Sequence, residues 1–115
     1  MRLLYIAGAY TGKTPEEIDL NIELARAIGR EAARRGWFPV IPHSNSARFE
    51  RCAPDIPPKF WYEGDLELLK RCDAILMCPG WERSKGAMME QISAVGKIGY
   101  YADISQLPDL TREGE

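Results

Sequence analysis

The sequence predicts a three-layer α/β fold built on a small, all-parallel sheet, and three observations predict it. Short apolar runs alternate with longer stretches of helical periodicity, in the order strand, helix, strand, helix, strand, helix, strand. The runs are apolar at consecutive positions, as in strands buried on both faces. Glycine, proline and capping residues mark the junctions between them. The 115 residues fit one domain, read as residues 1–104 followed by a C-terminal tail at 105–115.

The first strand is LLYIA, residues 3–7, and a glycine-flanked loop from Gly8 to Gly12 follows it. Thr14 is a candidate N-cap, Pro15 fits the first helical position, and Glu17 completes a Thr-x-x-Glu capping box. Ile18, Ile22, Ala25, Gly29 and Ala32 then recur on one helical face, and Gly36 ends the helix. The second strand runs from Trp37 to Ile41. Pro39 inside it cannot donate to a ladder, which places this strand at a sheet edge.

Pro42, His43, Ser44 and Asn45 follow at the C-terminal end of that strand. His43 reads equally as a ligand contact or as a hydrogen-bonding cap. Residues 46–58 carry three prolines and read as a loop or short irregular helix, of the length used for binding loops. Phe60, Trp61 and Tyr62 open the next helix, which runs to about Arg71 with Leu66 and Leu69 as core. Asp65 borders that apolar stripe. It projects toward a pocket or is a solvated carboxylate.

The stretch from Cys72 to Gln91 supplies a buried strand (74–77), a sharp turn with Pro79 and Gly80, and a helix opening near Ser84. A helix start after a parallel strand offers free N–H groups and a partial positive charge, suited to phosphate. Gly86 allows close approach of the backbone to a ligand. Glu90 lies one turn deeper, on an otherwise apolar run. Ser84 and Glu90 also fit an ordinary cap and a solvated side chain. A fourth strand spans 98–102, and the residues from Leu107 onward read as frayed.

With right-handed crossovers these elements give a flavodoxin-like strand order, 2-1-3-4. Strands 1 and 3 then meet at the topological switch point, where ligands bind beyond the strands' carboxyl ends. The loops meeting there are Gly8–Lys13 and Cys78–Gly86.

Bulk properties exclude several classes. A net charge of −2 and a pI near 5.5 argue against a nucleic-acid-binding face. No apolar run approaches a membrane span, and the N-terminus lacks the layout of a signal peptide, so a cytoplasmic location is expected. The three cysteines, with no Cys-x-x-Cys spacing, read as reduced thiols. His43 is the sole histidine, which disfavours a histidine-based metal site; no metal and no cofactor are expected.

Four segments, taken in order, resemble the nucleoside 2-deoxyribosyltransferase superfamily and its relatives, the 2′-deoxynucleoside 5′-monophosphate N-glycosidases. They are YIAGAYTG, PVIPHS, EGDLELLKRCDAIL, and the S-x-G-x-x-x-E of Ser84, Gly86 and Glu90. Together they span nearly the whole chain. The resemblance implies that Glu90 is the catalytic glutamate at the anomeric carbon. It implies that Asp65 handles protons at the base and holds the sugar. Tyr10 is implied to orient the glutamate or line the sugar pocket, with Gly8 and Thr11 beside it. His43 matches a position of the nucleotide-hydrolysing branch, and Ser84 and Gly86 match the loop that meets the nucleotide's 5′ end. Trp81, Trp61 or Tyr62 would stack on the base, or else pack in the core.

The transferases carry an aspartate six residues before the glutamate, where Ser84 stands here. A serine at a helix N-terminus, aided by Thr11 and Lys13, favours a 5′-monophosphate. The expected reaction is therefore hydrolysis of a nucleoside 5′-monophosphate to base and sugar phosphate. The alternatives are base exchange between nucleosides and a non-catalytic nucleotide-binding module. A redox flavodoxin-like role fits less well, because the first loop lacks a Ser/Thr-rich run. A homodimer or higher homo-oligomer is expected. The segment after Tyr101 does not match the relatives' C-terminal residues, and Ser105 is its one candidate contributor to the site.

Overall fold

A computed structural model describes residues 1–112. The elements that build the domain are β1 (Leu3–Ala7), α1 (Pro15–Arg34), β2 (Phe38–Val40), α2 (Pro42–Asn45), α3 (Phe49–Cys52), α4 (Pro58–Lys70), β3 (Ala74–Met77), α5 (Lys85–Ala94) and β4 (Gly99–Tyr101). The four strands form one parallel sheet in the order β2-β1-β3-β4, the order expected from the sequence. The proline-bearing β2 is an edge strand, with Pro39 opposite Leu4. Residues 46–58, read as a loop or irregular helix, hold α3 and the end of a short proline-rich connection into α4.

Side-chain alternation along β1 divides the core in two. Leu4 and Ile6 pack with Ala25, Ile28 and Ala32 of α1. Tyr5 and Ala7 face the other side, toward Leu69 at the end of α4 and Ala94 of α5. All four of these β1 residues are fully buried. α1 therefore forms one outer layer and α4 with α5 the other.

Local chemistry accounts for the helix ends. Thr14 accepts from the Glu17 amide, as a capping box requires. The Glu17 carboxylate reaches one residue further back than expected and accepts from the Lys13 amide, not that of Thr14. Gly36, at φ +87°, takes the left-handed turn that ends α1, with its amide bonded to the Ala33 carbonyl.

The C-terminal segment is not frayed where it is described. Leu107 is 4% exposed and joins the α1-side core. The Trp37 indole donates to the Pro108 carbonyl at 2.9 Å, and the Leu110 amide donates to the Arg35 carbonyl at 2.7 Å. Arg35 in turn donates to the carbonyls of Ile104 and Leu107. Prolines and short 3₁₀ turns carry this segment, so no helical or strand period announced it. Residues 113–115 of the expected tail lie outside the described residues.

Among the described residues no helix is long and apolar enough to cross a membrane. The cysteines carry free thiols, with Cys72 and Cys78 buried and Cys52 exposed. α5 exposes Met88, Met89 and Ile92, and Val95, which follows it, is also exposed.

Candidate active site

The ends of β1 and β3 approach so closely that only glycine fits at position 8. A Cβ on Gly8 would lie 2.8 Å from the Cys78 Cβ. Gly8→Ala is therefore expected to lower stability by about 1–3 kcal/mol, as overpacking does. Thermal melting of the variant checks this, and an unchanged midpoint would contradict it.

Beyond these strand ends lies a cavity of about 380 Å³. It falls within the range of small-molecule sites, roughly 300–1,000 Å³. Gly8, Tyr10, Thr11, His43, Asp65, Ser84, Gly86 and Glu90 all line it. The two loops and two helices singled out in the sequence thus converge on one space.

Spacing on the helices explains the convergence. On α4, Trp61, Tyr62 and Asp65 fall on one stripe, and all three line the cavity. On α5, Ala87 and Ala94 are buried while Glu90 lies between them on the same stripe. Small side chains there let the helix sit close to the sheet. Glu90 is consequently within reach of the buried Tyr5 hydroxyl, which donates to its carboxylate.

Of the two places implied for Tyr10, it lines the cavity and does not hold Glu90. The Tyr10 hydroxyl donates to the Glu50 carboxylate of α3, at 2.9 and 3.1 Å to its two oxygens. It accepts from the Arg48 amide at 2.7 Å. The tyrosine that holds Glu90 is Tyr5, which the sequence presented only as part of an apolar strand. Glu50 is the second residue the sequence did not mark.

Trp81 corrects one expectation. It is absent from the cavity wall and packs on the core beneath α4 and α5. The turn after β3 is a 3₁₀ helix, Trp81–Arg83, entered through left-handed Gly80, and it folds the indole inward. Trp61, Tyr62 and Phe49 line the cavity instead, with the Phe49 and Trp61 rings edge to face at 5.0 Å. Lys13 and Ser105 are not in the wall. Ser105 bonds to the Asp103 carboxylate.

The electrostatics follow from burial. Burial pushes the Glu90 carboxyl from its ordinary 4.5 to about 7; the Tyr5 hydrogen bond opposes the shift, and the charge on Asp65 adds to it. Burial alone raises Asp65 from 3.8 to about 6. Burial and the neighbouring Glu90 charge drive the Tyr5 phenol far above its ordinary value, so it remains a donor. Burial pushes the Cys78 thiol up to about 12, with Glu90 adding to the effect. His43 is held below its ordinary value by burial. Its Nε2 lies 2.9 Å from the Ala9 carbonyl, which requires the proton there. Its Nδ1 is then a lone-pair acceptor, buried and without a partner among the described residues.

These shifts give a stability prediction. Folding raises the pKa of both carboxyls, so the folded state binds more protons than the unfolded one. The associated stability is present in acid and is lost as pH rises from about 4 through about 7. Relative to the Glu90→Gln, Asp65→Asn double variant, the wild-type melting temperature is expected to fall across that window. Parallel curves would contradict the shifts.

At the far wall, the Ser84 hydroxyl accepts from the Ala87 amide at 3.2 Å and caps α5. The Lys85 and Gly86 amides, at the first two helical positions, have no intrahelical partner. Among the described residues no group of three or more His, Cys, Asp or Glu side chains is arranged to hold a metal ion.

Comparison with known proteins adds the family. No curated protein matches the chain. Residues 2–99 match the model of a family described as a domain of unknown function, DUF4406. That span covers β1 through the start of β4 and every residue named in the cavity wall, and the chain belongs to this family.

Proposed function

We propose that the protein cleaves the N-glycosidic bond of a nucleoside or nucleotide, with Glu90 at the anomeric carbon and Asp65 serving the base. One observation carries this reading. Two carboxyls with raised pKa values share a cavity, and a buried phenol fixes one of them. Breaking such a bond builds positive charge on the sugar, as in glycoside hydrolysis. A fixed carboxylate stabilises that charge or captures it as a covalent intermediate. The leaving base benefits from a proton supplied by a neighbouring acid.

The two carboxyls titrate as a pair. Burial raises both carboxyls, so the pair still holds a proton near neutral pH. The reaction uses the arrangement with Glu90 ionised and Asp65 protonated. The Tyr5 hydrogen bond favours it by stabilising ionised Glu90. A cationic sugar favours it further. The pH profile of kcat/KM is accordingly expected to be bell-shaped with its maximum between about pH 6 and 7. A profile flat from pH 5 to 8 would contradict the paired roles.

Hydrolysis of a 5′-monophosphate is supported by the free amide of Gly86 beside Ser84 in the cavity wall, at the start of α5. Base exchange between free nucleosides is a second reading. It is favoured by a wall bearing Glu50, Asp65 and Glu90 but, among the described residues, no lysine or arginine. Incubation with deoxynucleosides and their monophosphates, with and without a second free base, separates the two. Base and sugar phosphate from monophosphates alone support hydrolysis. Exchange restricted to free nucleosides supports transfer. Intact substrates throughout would end both.

A further inference from the structure

Glu50 has no part in the bond-breaking scheme, yet the fold takes care to place it. It sits on α3, at the cavity rim, facing the loop that follows β1. Tyr10 donates to both of its oxygens, and the Arg48 amide holds Tyr10 in turn. Arg48 itself occupies the left-handed region at φ 62°, uncommon for a residue with a side chain. Its guanidinium pairs with Asp19 of α1 at 2.9 Å. His43, from α2, bonds to the Ala9 carbonyl of the same loop. Four polar links thus tie the α2–α3 segment to α1 and to the loop after β1, and Tyr10 holds Glu50 directly.

The wall at this end offers acceptors. An ionised Glu50 accepts hydrogen bonds only. The His43 ring, 6% exposed, lines the cavity and is neutral, so it brings no positive charge there. Among the described residues no lysine or arginine lines the cavity, whose wall carries Glu50 and the proton-sharing pair Asp65 and Glu90. A sphere of about 380 Å³ is only about 9 Å across, so a phosphate inside it lies within about one Debye length, 8 Å at physiological salt, of these carboxyls. The complementary ligand is one that donates hydrogen bonds here and bears no negative charge.

We infer that Glu50, held at the cavity rim by the Tyr10 hydroxyl, is a specificity-determining residue that admits a hydroxyl- or amine-bearing ligand and discriminates against an anionic one. This rests on the reading of the cavity as a nucleoside site. It assigns to Glu50 the task of sensing the ligand's charge.

The test uses a matched pair, 2′-deoxyadenosine and its 5′-monophosphate, which differ in the phosphate alone. Binding to the full chain is measured by calorimetry at low and high salt, with base release followed in parallel. Wild type is expected to bind the nucleoside more tightly. Glu50→Gln keeps the shape and removes the charge; it should shrink the preference about tenfold, the scale of one charge pair in partly screened surroundings. Tyr10→Phe should shrink it less, and high salt should shrink it in wild type but not in Glu50→Gln. A wild-type preference for the monophosphate would overturn the inference. So would an unchanged ratio in Glu50→Gln, or an equal weakening of both ligands. A ratio that shifts as expected with no base released leaves the role of Glu50 standing and ends the catalytic reading. Failure of both ligands to bind ends both.

Discussion

Glu90→Gln is expected to reduce base release by about a thousandfold or more, equivalent to about 4 kcal/mol of transition-state stabilisation. The amide keeps the shape of the side chain but cannot offset positive charge on the sugar. Folding should survive, because the carboxyl is costly to bury and its replacement relieves that cost. Tyr5→Phe gives a graded companion. It removes the hydrogen bond that holds Glu90 and favours its ionised form. Its rate should fall about ten- to a hundredfold, with the pH profile moving to higher pH as Glu90 loses the bond that favours its ionised form. Single-turnover assays of both variants read these effects. Wild-type rates in Glu90→Gln would remove the glutamate from the chemistry. An unshifted pH profile in Tyr5→Phe would remove the phenol's part.

Truncation after Gln106 is expected to destabilise the domain by about 3–7 kcal/mol. It strips buried Leu107, worth about 1.5–3 kcal/mol of burial. It also removes the acceptors for Trp37 and Arg35 and the Leu110 donor, at about 0.5–1.5 kcal/mol each. Trp37, 3% exposed in the intact chain, would lose its cover. Trp37→Phe isolates the indole bond to Pro108 and should cost about 1 kcal/mol from that bond alone. Urea unfolding of the three proteins measures the differences. A truncated chain as stable as wild type would show that the segment does not stabilise the core.

These two regions also mark where the sequence was legible and where it was not. β1, β3 and α1 were readable because uninterrupted apolar runs and a capping box are local signals. The strand order followed from alternation and handedness, which are general properties of such chains. Glu90, Asp65, His43 and Ser84 were marked by their places at the strand end and on the helices, the resemblance added their roles, and they do line one cavity. Tyr5 was hidden because a tyrosine among Leu, Ile and Ala reads as core, and it is core. Only the folded chain shows that its hydroxyl ends at Glu90. Glu50 was hidden in a proline-rich stretch without periodicity, where its placement depends on Tyr10, forty residues away. Trp81 misled because an aromatic in a polar turn resembles a ligand platform, whereas the 3₁₀ turn folds it onto the core. The C-terminal segment was obscured for the same reason as Glu50: its contacts are long-range and its backbone irregular.

The raised pKa values of Glu90 and Asp65 connect fold to chemistry. Two carboxyls placed together in a largely apolar crevice cost stability as pH rises, and a domain of this size has little to spare. Such strain at a cavity is the pattern of a functional site. Glu50 serves a different end, since it governs which ligand enters and not what happens to it.

The central claim is that a sugar's anomeric carbon sits against Glu90 with the base beside Asp65. A crystal structure of the Glu90→Gln variant with a bound deoxynucleoside tests it most directly. C1′ is expected within contact distance of the amide introduced at position 90, with a base nitrogen within hydrogen-bonding reach of Asp65. A nucleoside bound with its C1′ turned away from both, or bound outside this cavity, would contradict it.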